Sequence, residues 1–111
     1  MSERIVLAIN LKPEMRLKYC DMHRNPNIHV VRLLEQAGHT HYKIHLFNDL
    51  LVASFDYTGK DLNADREWLR SQPELQSWMS ETADCQTQIE PITSGSWWTT
   101  MEQVFPIGDA E

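Results

Sequence analysis

His41-Tyr-Lys-Ile-His-Leu-Phe47, Asn48-Asp49 and Leu50-Leu-Val-Ala-Ser-Phe-Asp-Tyr57 together decide the fold. The first run alternates polar and apolar side chains, as a strand with one buried face does. Asn48-Asp49 supplies the chemistry of a tight turn, and the apolar pattern then resumes, so the stretch predicts a β-hairpin. Working outward toward the N-terminus, Ile28 to Gln36 carries apolar residues at helical spacing through Val31 and Leu34. Gly38 follows at the position of a C-cap. Arg24-Asn-Pro-Asn27 separates this helix from an earlier one, which starts near Pro13, where a missing N–H costs nothing, and runs to about His23. Met15, Tyr19 and Met22 share a face of that first helix. Before it, Arg4-Ile-Val-Leu-Ala-Ile-Asn10 is an almost continuous apolar run, the pattern of a central strand covered on both faces.

Toward the C-terminus, Asp61 or Asn63 can cap a helix carrying Ala64, Trp68 and Leu69, and Pro73 opens another through Leu75, Trp78 and Met79. A loop rich in Thr, Pro, Ser and Gly is expected from about Ala83 to Ser96, and a last strand from Trp97 to Phe105. The order is β-α-β-β-α-β with both helices split, so the fold class is α+β and ferredoxin-like, with helices on one face of the sheet. The first strand offers apolar side chains to both faces, Ile5, Leu7 and Ile9 to one and Val6 and Ala8 to the other. Packing of the uncovered face against a second copy would bury it, which predicts a homodimer with a sheet-lined interior. Residues 1–111 read as a single domain, without repeat or linker.

Composition narrows the function. With 10 Lys and Arg against 16 Asp and Glu, the formal net charge is −6. No basic cluster stands out, which argues against nucleic acid as a partner. The Ile5–Ile9 run is too short to span a bilayer or form a signal-peptide core, so no membrane partner and a cytoplasmic location are expected. Cys20 and Cys85 are too few and too far apart for a disulfide scaffold or zinc ribbon. His41 and His45 are four apart on a strand, roughly 13 Å at about 3.3 Å per residue, and cannot share an ion within it. Cys20 and His23 have no second pair of ligands at fitting spacing, so no metal is expected. The acidic positions Asp61, Asp65 and Glu67 read as a solvated helix face with a cap.

Tyr19 and His23 carry the chemical signal. Four residues apart on a helix, they present a phenol and an imidazole to one volume. Imidazole gives and takes protons near neutrality, with an unperturbed pKa of about 6.5. A tyrosine on an amphipathic helix also packs into cores, and a single histidine also serves as a hydrogen-bonded spacer. Trp78 reads first as a core tryptophan, and Tyr42 as either lining or filling a cavity. In Trp97-Trp98 a strand would send the two rings to opposite faces, one into the core and one to a dimer interface or cavity rim.

Several of these segments together resemble the L-rhamnose mutarotase family. They are Tyr19-x-x-x-His23, Ala37-Gly38 followed by His41-Tyr42-Lys-Ile44, Pro73-Glu-Leu-Gln-Ser-Trp78 followed by Cys85-Gln86, and the closing Gly95-Ser-Trp-Trp98-Thr-Thr-Met-Glu-Gln-Val-Phe105. The resemblance covers nearly the whole chain, in order. It implies a dimeric α+β barrel, no metal or organic cofactor, and interconversion of the α and β pyranose anomers of a 6-deoxy monosaccharide. By position His23 matches the family's proton donor, and Tyr19, Tyr42 and Trp78 match its sugar contacts. The family commonly has a second Trp directly after the first, where this chain has Met79. Its Trp-Pro-Glu segment is replaced by Asn27-Ile28-His29, with Pro26 one position earlier. Met79 keeps an apolar substrate contact but loses an indole N–H and a rigid edge, so altered sugar specificity or weaker binding is expected.

Mutarotation fits these residue types. A proton must reach the ring oxygen and another must leave the anomeric hydroxyl; the ring opens, the aldehyde turns, and the reverse transfers close it. The resemblance places His23 as general acid at the ring oxygen, with Tyr19, Tyr42 or a water as partner. Trp78 offers a flat wall for the sugar's C–H face. Two other classes stay open, a non-catalytic sugar-binding or regulatory protein and a cofactor-free dimeric α+β barrel monooxygenase.

Overall fold

In the computed structural model, which describes residues 3–90 and 96–105, the chain runs β1 (Glu3–Leu11), a 3-10 turn (Pro13–Met15), α1 (Arg16–Arg24), α2 (Ile28–Gln36), β2 (His39–Phe47), β3 (Leu50–Tyr57), α3 (Leu62–Arg70), α4 (Pro73–Asp84), β4 (Gln86–Thr87) and β5 (Thr99–Thr100). The strands form one antiparallel sheet in the order β2-β3-β1-β4, and β5 also pairs with β1. This is the ferredoxin-like order anticipated from the alternation of strands and split helices.

Turn chemistry sets the register. Asn48 adopts a φ of +54°, a left-handed conformation that asparagine tolerates, and closes the β2–β3 hairpin with Phe47 opposite Leu50. Strand β2 begins two residues earlier than the alternation suggested, at His39. The register slips between Thr40 and Lys43, where His41 takes a φ of +54° in an irregularity that periodicity does not show. Gly38 ends the α2 segment at φ +79°, and a Cβ there would meet the backbone nitrogen of Gly59 at 3.0 Å. Glycine therefore makes the α2–β2 corner possible. Asn27 and Asp61 cap α2 and α3 by accepting hydrogen bonds from the backbone N–H of His29 and Ala64.

Period-two alternation in β3 sends Leu51, Ala53, Phe55 and Tyr57 into the core. Ile9, Leu11 and Leu51 pack with Tyr19 from α1 and with Cys85, while Leu7, Ala53, Phe55 and Tyr57 meet Leu62 from α3. A third cluster, Val30, Leu33, Ala37, Leu69 and Leu75, joins α2 to α3 and α4, with Trp78 against it. Tyr57 ties sheet to helix: its hydroxyl donates to Asp65 and accepts from the Asp61 backbone N–H.

The C-terminal third differs from expectation. Helix α4 continues to Asp84 and β4 follows at once, so the loop expected over Ala83–Ser96 starts later; residues 91–95 lie outside the described part. The strand expected from Trp97 to Phe105 is reduced to Thr99–Thr100. The free edge of β1 is shared: β4 takes Asn10 and Leu11, leaving Leu7 and Ala8 to β5 and one further bond from Met101 N to Val6 O. Beyond it Val104 and Phe105 are exposed and lie outside any strand.

Candidate active site

Helix α1 puts the pair singled out by spacing into contact. The rings of Tyr19 and His23 stack with centroids 4.3 Å apart. The His23 Nδ1 lies 2.8 Å from the Tyr19 carbonyl oxygen. A carbonyl only accepts, so Nδ1 carries the proton, and Nε2, which has no protein partner among the described residues, keeps its lone pair. Burial of the imidazole lowers its pKa below the ordinary 6.5, against a smaller opposite effect of that carbonyl. At neutral pH His23 is thus an uncharged ring with a basic Nε2. The edge of Trp78, reaching over from α4, meets it at 5.0 Å.

Beside this pair opens a cavity of about 230 Å³, between α1 and the β2 edge of the sheet. Tyr19, Cys20, His23 and Arg24 line it on the helix side, and Ile44, His45, Leu46 and Leu51 on the sheet side. Most of its polar groups lie on α1, and the sheet side offers the apolar Ile44, Leu46 and Leu51 together with His45. Tyr19 is nearly fully buried, and burial pushes its phenol pKa upward, so it stays protonated. Its oxygen accepts a hydrogen bond of 3.1 Å from Gln86 Nε2, and Gln86 Oε1 accepts one of 2.7 Å from the indole N–H of Trp97.

Tyr42 stands one layer away. Its ring stacks on Phe55 at 5.1 Å, and burial pushes its phenol pKa upward against a smaller opposite effect of Arg66. The Arg66 guanidinium lies over the Phe55 ring at 6.0 Å. Met79, expected beside Trp78 as a substrate contact, is 39% exposed on α4 and is not among the side chains that line the cavity. Consecutive helical residues diverge by about 100°, so Trp78 can face His23 while its neighbour faces solvent. Of the five residues singled out, Tyr19 and His23 line the cavity and Trp78 touches His23 from outside it, whereas Tyr42 and Met79 do neither.

Gln86, Trp97 and Arg66 belong to the site's surroundings; the sequence assigned Arg66 no part and placed one ring of Trp97-Trp98 only at a dimer interface or cavity rim. Gln86 was visible only inside the Cys85-Gln86 resemblance, and it lies 67 positions from Tyr19, too far for any spacing rule, while its partner Trp97 lies farther still. Trp98 packs against two core clusters while Trp97 is 40% exposed, the divergence anticipated for that dipeptide, although neither residue lies in a strand. Among the described residues no group of three His, Cys, Asp or Glu is arranged to hold a metal ion, and no helix is long and apolar enough to cross a membrane.

The comparisons agree with one another. A family model described as L-rhamnose mutarotase matches residues 4–107. An L-rhamnose mutarotase from Mesorhizobium japonicum is 32% identical over 84 residues, which make up 76% of this chain and 79% of that protein. Among solved structures, an L-rhamnose mutarotase from Formosa agariphila superposes with a TM-score of 0.73 at 21% identity, covering 96% of this chain and 99% of the other. Tetracenomycin F2 cyclase from Streptomyces glaucescens, a type-II polyketide cyclase, gives 0.70 at 15% identity over 98% and 99% of the two chains. The two structural likenesses speak for the fold, and one fold carries both chemistries. The match along residues 4–107 and the M. japonicum relative go further: the chain belongs to the L-rhamnose mutarotase family of isomerases.

Proposed function

We propose that this protein interconverts the α and β pyranose anomers of a 6-deoxy sugar such as L-rhamnose, with His23 as its general acid/base. The observation that carries this reading is the tautomer of His23, whose Nδ1 proton is spent on the Tyr19 carbonyl and whose Nε2 is bare beside a cavity. This changes the order of events expected from the resemblance. A neutral Nε2 cannot start as an acid at the ring oxygen; it takes the anomeric hydroxyl proton as the ring opens and returns it as the ring closes on either face. The ring oxygen must gain its proton from a second group as the ring opens and give it back as the ring closes. Ile44, Leu46 and Leu51 provide apolar surface for C–H groups in the cavity. The reading adds Trp78, whose ring meets His23, as a further apolar wall next to the imidazole.

Family membership favours this reading over the sugar-binding protein and the monooxygenase. The reading extends to a cytosolic homodimer. Both cysteines are free, which suits a reducing compartment. On the face of the sheet turned away from the helices Val6, Leu50 and Val52 are only half-buried within one chain, and a second copy would cover them. Sedimentation should give twice the chain mass for wild type and a monomer for Val52→Asp.

Anomer exchange measured by NMR on L-rhamnose and L-fucose tests the activity. Acceleration of at least one by wild type, lost in His23→Ala while sugar binding persists, is the expected result. Acceleration by neither sugar would overturn the reading.

A further inference from the structure

We propose that Tyr19 is the second proton-transfer group of this site, and that Gln86, held by Trp97, is the positioning residue that keeps the Tyr19 proton turned toward the substrate. The proposal rests on the mutarotase reading and supplies the acid that reading lacks. An indole N–H can only donate, so the Gln86 atom it meets 2.7 Å away is the amide oxygen. That fixes the amide, and its NH₂ end faces the Tyr19 hydroxyl at 3.1 Å. An NH₂ group also only donates, so the phenol oxygen accepts and its own proton must point elsewhere. No described residue accepts that proton, and Tyr19 lines the cavity.

The relay is rigid. Gln86 and Tyr19 are each 3% exposed, so water does not compete for the amide. The Gln86 backbone is held opposite Leu11 in the sheet, and the neighbouring Cys85 carbonyl accepts from Lys12 N at 2.8 Å. Trp97 comes from the far end of the chain and closes the series Trp97, Gln86, Tyr19, ending at the ring stacked on His23.

The proton balance is closed. As the bond between the anomeric carbon and the ring oxygen breaks, the Tyr19 hydroxyl delivers its proton to the ring oxygen. His23 Nε2 takes the proton of the anomeric hydroxyl, and the aldehyde forms. Phenolate and imidazolium then lie against each other, with opposite charges at stacking distance. After rotation of the aldehyde, the sugar hydroxyl attacks the carbonyl carbon and returns its proton to Tyr19, while His23 protonates the carbonyl oxygen. Both groups end as they began.

Steady-state anomer exchange tests the relay. Tyr19→Phe should lower kcat by roughly 100-fold, within the range of a positioned acid. Gln86→Glu keeps the acceptor for Trp97 but replaces the donor facing Tyr19 by a second acceptor, which turns the phenol proton away from the cavity. It should lower kcat by roughly 30-fold with KM changed less than about threefold, and have no further effect in the Tyr19→Phe background. Trp97→Phe, at a half-exposed position, covers the case in which Gln86→Glu does not fold; it frees the amide and should lower kcat several-fold, again only when Tyr19 is present. Equal losses with and without Tyr19, or an unchanged kcat in Tyr19→Phe, would overturn the proposal. A wild type that accelerates no sugar would instead sink the mutarotase reading on which it rests.

Discussion

Two histidines of this protein have the same local chemistry and opposite surroundings. His23 and His39 each have Nδ1 against a backbone carbonyl, Tyr19 at 2.8 Å and Ala37 at 2.9 Å, so each bears its proton on Nδ1 and a lone pair on Nε2. Burial lowers the pKa of both. His23 looks into a cavity, whereas His39 is 1% exposed, stacked on Phe55 at 4.3 Å, and its Nε2 has no partner among the described residues. The difference teaches that a fixed tautomer alone does not make a site: only an imidazole open to a cavity is placed to act as the base of the proposed reaction. Sealed off, the same group fills space at a desolvation cost.

That contrast can be broken by exchanging the fates of the two rings. His23→Ala should reduce anomer exchange by roughly 10²- to 10⁴-fold, with thermal unfolding little changed. His39→Ala should do the reverse. Deleting a fully buried aromatic ring costs about 3 kcal/mol, read as a lower denaturant midpoint, while kcat of the folded fraction stays within a few-fold. If His39→Ala instead abolished exchange and left stability intact, the division of roles between them would be wrong.

A smaller effect is expected where the wall, rather than the proton carrier, is altered. Trp78→Leu should raise KM about tenfold with a lesser change in kcat, because stacking surface serves bound sugar and transition state alike. A kcat loss matching that of His23→Ala would show that Trp78 orients the imidazole as well.

Acid titration gives the smallest effect and sharpens the contrast furthest. Both imidazoles have folded pKa values below the unfolded 6.5, so below that pH the unfolded chain binds more protons and stability falls as pH falls. The proposed cycle needs a neutral His23, so the acid limb in kcat/KM should have a midpoint below 6.5. His39→Leu should flatten the acid limb of stability and leave the acid limb of activity in place.

Legibility in the sequence followed the range of the interaction. The hairpin, α2 with its Gly38 corner and the Asp61 cap follow from residues within a few positions of one another, and so does the meeting of Tyr19 with His23. The short β4 escaped notice because Gln86-Thr87 carries no alternation, and its pairing depends on an edge of β1 some 75 residues away. The last strand was overestimated for the same reason. Apolar content in Trp97–Phe105 could be read, but the length of free edge left for it could not. Met79 was assigned to the pocket by its neighbour's role, and the rotation of one helical position sends it outward.

By itself, then, the sequence determined the order of elements, their turns and caps, and a phenol and an imidazole on one helical face, because these depend on backbone preference and on the 3.6-residue period. The tertiary structure alone decided that His23 opens on a cavity while His39 is sealed, and which way each proton points. Those outcomes depend on groups brought together from distant parts of the chain, Trp97 and Gln86 with Tyr19, and Phe55 with His39. Donor and acceptor identity propagates only through contact, and no periodicity in one segment records its partner in another.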